Sequence, residues 1–326
     1  VGWGLALSLI SVWAAPTGVV FTANERDQSI SAVRLDDSEV RTIKIDIAPH
    51  NIQIAPDGAT LLAVGMSAHS AHHGSTKIGQ LLILNSKTLA VEPHAIAVGE
   101  HPAHVVTDSK GERAFVSDSA VDLIRVIDLK TKAEVGQVTT DRYPHGLRLS
   151  PDGQTLYVAN MKGGTVSVID VTTLKETKRI VVGKGPVQVG FSPDGKQAYV
   201  SLSAENRLGL IDTASHRLVG KVAVGRTPIQ MIVPHGTRRV YVANQGSARK
   251  PSDTVSIVDV ITAKVVATLK TGRGPHGVAS SSDGAYVFVT NIESATLSVI
   301  EIATQKVVAT YQVGAGPNGV TFLATP

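Results

Sequence analysis

At 326 residues, with 43% hydrophobic and 18% charged residues, the chain has the composition of one large or two ordinary globular domains, not of a disordered segment. A net charge of +4 and an aromatic content of 4% argue against a nucleic-acid platform built on a basic stripe or on stacked bases. The absence of cysteine excludes disulfides, thiolate metal sites and a cysteine nucleophile.

The opening segment, VGWGLALSLISVWAAPTG, is apolar from Leu5 to Trp13, and Val12 and Ala14 are placed for cleavage before Ala15. Residues 1–14 are therefore expected to be the hydrophobic part of an export signal, without its usual basic start, and the protein to be periplasmic or secreted. The stretch is shorter than the roughly 20 residues a spanning helix needs. No later stretch is apolar enough to span, so residues 15–326 are expected to form one domain with no integral membrane segment.

From residue 18 onward the chain repeats itself. Aligned copies start at Pro49, Pro102, Pro144, Pro186, Pro228, Pro275 and Pro317, in steps of 53, 42, 42, 42, 47 and 42 residues. The copy at Pro186 reads as four strands: VQVGF, then QAYVS after the turn SPDG, then RLGLID and RLVGKVAV. Pro and Gly suit the fixed and the positive φ of that turn. The strands are rich in Val, Ile and Tyr, and no segment has a helical period. Four strands per period make a propeller blade, whose faces can be buried only by neighbouring blades.

The chain ends fit that reading. Residues 18–46 supply three strands without a first one, and PNGVTFLATP supplies a first strand with nothing after it. Together they complete one blade and remove an open edge. The expected fold is all-β: a seven-bladed β-propeller of four antiparallel strands per blade, closed by its N- and C-terminal strands.

The segments YVAN at Tyr157–Asn160 and Tyr241–Asn244, VFVTN ending at Asn291, the recurrent SPDG and TVSVID at Thr165–Asp170 resemble the YVTN family of β-propellers. The resemblance covers the chain after the export segment. It implies a secreted or periplasmic binding propeller. Some related propellers hold haem d1 or a copper cluster and others are lactonase-like, but no active-site motif of those relatives maps onto this chain.

Loops entering the innermost strand and loops joining the second and third strands share one end of a propeller. The two longer periods are expanded in second-to-third-strand loops, MSAHSAHHGSTKIGQ (Met66–Gln80) and NQGSARKPSD (Asn244–Asp253). Eight of the eleven histidines fall at that end: His50, His101, His104, His145 and His276 at inner-strand starts, and His69, His72 and His73 in the first long loop. Gln188, Gln230 and Asn318 hold the matching places in the other blades, so every blade offers a polar side chain to the channel mouth. Neutral imidazole ligates copper, zinc and haem iron. A metal or haem site would draw on His50, His104, His145 and His276, with His69, His72 and His73 folding over it. A polar mouth that only satisfies backbone groups and water is the other reading.

Two residues before the loop proline, four consecutive blades carry Arg142, Lys184, Arg226 and Arg273, with Lys162, Arg249 and Lys250 nearby. A field of one sign over a concave site concentrates anions, although Glu100 takes the same place in another blade. Asn24, Asp118, Asn160, Asn244 and Asn291 end the second strands and are expected to be turn residues bonded to nearby backbone. No nucleophile elbow, phosphate-cradling glycine loop or HExxH helix is present, and no catalytic residue is assigned. The expected function is that of an exported binding module whose His-rich, partly basic end recognises a small anion or another extracytoplasmic protein, acting as a monomer. The alternatives are a metal- or haem-associated periplasmic protein using copper, zinc or haem, and a lactonase-like hydrolase. Nucleic acid is the weakest candidate partner.

Overall fold

The computed structural model describes residues 16–68 and 78–325. They form seven four-stranded antiparallel sheets and no helix. Blades one to seven are numbered here by their inner strands: Ile47–Ile54, Pro102–Thr107, Pro144–Leu149, Pro186–Phe191, Pro228–Ile232, Pro275–Ser280 and Pro317–Leu323. Each inner strand packs beside the next, and the seventh packs beside the first, so the ring is closed.

The seventh blade joins the two chain ends as expected. Val19–Asn24 runs antiparallel to Pro317–Leu323, with Val19 opposite Leu323 and Val20 opposite Phe322. Ser29–Arg34 and Val40–Lys44 complete that sheet. In the first blade the outermost strand shrinks to Ile96–Ala97, whereas the outer strands of the second to sixth blades run to seven residues.

The core lies between blades. Seven buried clusters occupy the seven interfaces, and each takes residues from two neighbouring sheets. Tyr157, Val166 and Val168 of the third blade meet Val189, Val200 and Ile211 of the fourth. At the seam of the ring, Phe21 and Ile30 meet Ile52, Leu61 and Leu82. The Val- and Ile-rich strands are apolar on both faces because each sheet is covered on both.

The recurrent residues at the ends of the second strands are architectural, but by a different bond from the one expected. Asn160 is fully buried and its side-chain amide donates to the Thr165 and Ser167 hydroxyls on the third strand of its own blade. Asn24 does the same with Ser29 and Ser31, and Asn244 with Thr254 and Ser256. In the second blade Asp118 replaces Asn and Arg125 replaces the serine, and their buried pair closes at 3.0 Å. In the fourth blade Leu202 faces Gly209, where a Cβ would lie 3.6 Å from the leucine. Three chemistries thus fill one repeated space.

Candidate functional site

The inner strands begin at the upper end of the channel, and the second-to-third-strand loops rise at the same end. In the first six blades the pairing of inner and second strand slips just after the loop proline, as between Pro102 and Val105 or between Pro144 and Leu147. The seventh slips at the matching place, opposite Ala23 and Asn24. A bulge leaves backbone groups unpaired and re-aims side chains. Hydroxyls on the second strands take up the freed groups. Ser117 accepts the His104 amide hydrogen (3.0 Å) and donates to the His145 carbonyl of the next blade (2.6 Å). Ser201 and Thr290 repeat the device for Gln188 and Ile229 and for Gly277 and Asn318. The site is thereby built on backbone that is pinned across blades.

On this frame three imidazoles converge. His50, His104 and His145 each offer a nitrogen such that all three atoms lie within 4.8 Å of one another. The closest pair is His50 Nε2 and His145 Nε2, 3.3 Å apart. The rings of His104 and His145 are 4.9 Å apart, and those of His50 and His104 5.7 Å. Two nitrogens held by one tetrahedral ion at ~2.0–2.1 Å would be roughly 3.3–3.4 Å apart. His104 Nε2 is buried and has no hydrogen-bond partner among the described residues.

In His50, His145 and His276 the Nδ1 atom is already engaged. His145 Nδ1–H donates to the Val187 carbonyl at 3.2 Å, and His276 Nδ1–H donates to the Asn318 carbonyl at 3.2 Å. This fixes the tautomer that leaves Nε2 as an acceptor or ligand. His50 Nδ1 lies 3.3 Å from Glu25 Oε2, and the Asn318 amide bridges the two, donating to Glu25. Burial works against ionising Glu25, yet its hydrogen bond and charge contact with His50, joined by the Asn318 bond, hold the carboxyl at about 2. Burial and neighbouring imidazoles push His145 down to about 3 and His276 to about 4, and hold His104 well below its usual range. Neutral imidazoles beside a fixed carboxylate are a cation-accepting arrangement.

A family profile described as the YNCE-like β-propeller matches residues 80–250 and 234–325. The chain belongs to the YNCE-like β-propeller family. No curated protein matches the sequence. Among solved structures, Kuenenia stuttgartiensis hydrazine synthase superposes with a TM-score of 0.72 at 21% identity, over 87% of this chain and 97% of that one. The Pseudomonas aeruginosa periplasmic gluconolactonase gives 0.73 at 17% identity, over 95% and 99%. A protein of unknown function from Desulfotomaculum acetoxidans gives 0.75 at 16% identity, over 95% and 100%. These likenesses concern the fold.

The polar ring expected of this YNCE-like propeller occupies two levels. His50, His145, His276 and Asn318 directly follow the loop proline, and His104, Gln188 and Gln230 come one residue later. The second group turns toward neighbouring backbone: Gln230 Oε1 accepts from the Val278 amide at 3.4 Å, and Gln188 Oε1 from Val189 at 3.0 Å. Only His104 of that group joins the imidazole cluster. His276 stands beside it, its ring 6.4 Å from His50. His69, His72 and His73 lie outside the described residues.

Arg142, Lys184, Arg226 and Arg273 are all exposed in the loops above the inner strands. Arg142 and Arg226 donate to the Lys162 and Lys250 carbonyls of their own blades, both at 3.3 Å. Lys162 covers the Tyr143 ring at 4.1 Å. The basic residues therefore form a rim and do not enter the imidazole cluster. Glu25 was not foreseen from sequence. Its signal was its place immediately after Asn24, in a second-to-third-strand loop of the closing blade.

Proposed function

We propose that this YNCE-like propeller is an exported, monomeric binding module that holds a transition-metal ion at the upper mouth of its channel through His50, His104 and His145. The observation that carries the reading is the 3.3 Å approach of His50 Nε2 to His145 Nε2, while the opposite nitrogens face Glu25 and the Val187 carbonyl. When His50 Nδ1 accepts from the Asn318 amide at 3.0 Å, its Nε2–H donates to His145; when Nδ1–H points at Glu25 instead, the two Nε2 lone pairs face each other. That contact is unfavourable unless a proton or a cation lies between them. The unpartnered His104 Nε2 supplies the third ligand.

The chemistry of the donors favours zinc or copper(II), since all three ligands are imidazoles and the chain has no thiolate to offer. Three ligand atoms within 4.8 Å leave no gap for a macrocycle, so a single ion fits better than haem. The His50–His145 pair already has the spacing one ion spans, and the His104 ring has to move inward to complete the set. In this site Glu25 orients His50, Val187 and Ser117 fix His145, and one coordination position stays open for a ligand. The exposed basic rim favours an anionic occupant of that position. Export rests on the apolar segment ending before Ala15.

The test is a titration of metal-free, untagged protein with zinc and copper(II) by calorimetry, together with elemental analysis of protein purified from its native compartment. A variant with His69, His72 and His73 changed to Ala serves as the background. Binding tighter than about 1 µM, weakened at least tenfold by His145→Ala and by Glu25→Gln, is expected. Equal binding by His145→Ala would remove the assignment. Fractionation of the native host tests export, and light scattering tests the monomer.

A further inference from the structure

The lower end of the channel holds a cation with no partner among the described residues. Arg148 is the fourth residue after the loop proline of the third blade, a position where the other six blades carry uncharged residues. It is partly buried, and burial pulls its guanidinium below its ordinary value. Gln53 and Val106 hold the same place in the first and second blades and line one cavity with Arg148. Among the described residues it has no ion pair, and its guanidinium donates no hydrogen bond.

Arg148 lines a cavity of about 380 Å³ at the lower ends of the first three inner strands, with Gln53, Thr107 and Ser150 in the same wall. Asp108 also lines it, but that carboxylate is committed: it accepts from Arg113 Nε at 3.2 Å and from the Glu112 amide at 2.8 Å. The volume falls within the range of small-molecule sites. A half-buried guanidinium without a counter-charge is costly. Its fork of donors matches an oxyanion, two oxygens at a time.

We propose that Arg148 anchors a second binding site, in the lower channel, for a small phosphate- or carboxylate-bearing compound. The site is independent of the metal reading, because none of its residues belongs to the imidazole cluster.

The experiment titrates metal-free protein with inorganic phosphate and, separately, with citrate at low ionic strength, in the wild type, Arg148→Gln and His145→Ala. Arg148→Met, which keeps the aliphatic stem, replaces Arg148→Gln if circular dichroism shows that variant misfolded. At least one anion is expected to bind below about 1 mM, at least tenfold more weakly to the Arg148 variant and unchanged to His145→Ala. The arm that binds tells phosphate from carboxylate chemistry. Binding by neither anion below about 10 mM, or equal binding by the Arg148 variant, overturns the proposal. Loss in His145→Ala with retention in Arg148→Gln also overturns it, since the anion would then sit at the imidazoles.

Discussion

Acid should destabilise this protein well before its carboxylates protonate. Folded His145 and His276 are held at about 3 and about 4, against an ordinary histidine value of 6.5. Both are depressed, so below pH 6.5 the unfolded chain takes up protons that the folded form refuses, and stability falls with pH. The loss runs from about pH 6.5 down to the folded values. Each unit of pH in that window costs about 1.4 kcal/mol per histidine. Moving from pH 7 to pH 5 should therefore remove about 2 kcal/mol for each, or about 4 kcal/mol at most, because neighbouring imidazoles titrate together. His104 acts in the same direction. Glu25 has its ordinary value at 4.5 and is lowered to about 2, so its own contribution is lost as pH falls from about 4.5 to about 2, below the pH 7 to 5 range. Urea unfolding at pH 7, 6 and 5 with chelator present measures the slope. The double variant His145→Gln/His276→Gln should lose at least half of it. Wild-type stability that stays flat between pH 7 and 5, or a slope unchanged in the double variant, would refute the reasoning.

Converting the second blade to the pattern of its neighbours should show strong coupling. Asp118→Asn alone removes the buried partner of Arg125 and is expected to cost about 3 kcal/mol, while adding Arg125→Ser restores the amide–hydroxyl pair and recovers most of it; a thermodynamic cycle from urea midpoints reads the coupling. Ser117→Ala leaves the His104 amide and the His145 carbonyl without their shared hydroxyl, so stability should drop by about 1–3 kcal/mol and zinc affinity should fall with it, whereas a purely structural role would leave affinity unchanged. Thr227 holds a φ of 51° where Gly185 and Gly274 stand at 64° and 70°, and Thr227→Gly should raise the thermal midpoint through a gain of about 0.5–1 kcal/mol. Gly99 has a φ of 102°, and a Cβ there would lie 1.8 Å from Asp118 Oδ2, so Gly99→Ala should lower stability by about 2 kcal/mol, read from the urea midpoint.

The fold was legible because the repeat states the same local instructions seven times. Proline and glycine at the turns, Val and Ile on strands covered on both faces, and two incomplete ends of complementary length left one closed arrangement. The upper face was legible for the same reason: connections alternate between the two ends of a propeller, so position within the repeat fixes which end a residue reaches. What sequence position did not reveal is direction. His50 and His145 follow the loop proline directly and His104 comes one residue later, yet the bulges turn all three toward one point and turn Gln188 and Gln230 to neighbouring backbone. An alternation rule carries no information across a slip in register. Glu25 escaped for a related reason: its partners His50 and Asn318 belong to different blades and meet only when the ring closes.

That closure also explains why the imidazoles gather on one side of the channel. The first, second and third blades bring His50, His104 and His145, and the seam supplies Glu25 and Asn318 behind His50. The fourth and fifth blades place Val187 and Ile229 directly after the loop proline, and Val187 contributes only its carbonyl, to His145. A ring of seven near-identical modules would by itself surround the axis evenly and favour no off-centre ligand. Here substitutions at two adjacent positions of the repeat break that symmetry, while the hydroxyls of Ser117, Ser201 and Thr290 keep the backbone registers alike. The scaffold and the site are therefore separable: side chains after the proline can change chemistry blade by blade without disturbing the sheet that carries them. Arg148 fits the same logic one turn of the pleat lower. A single charged substitution on an otherwise neutral level gives the channel a second kind of donor, facing the opposite opening.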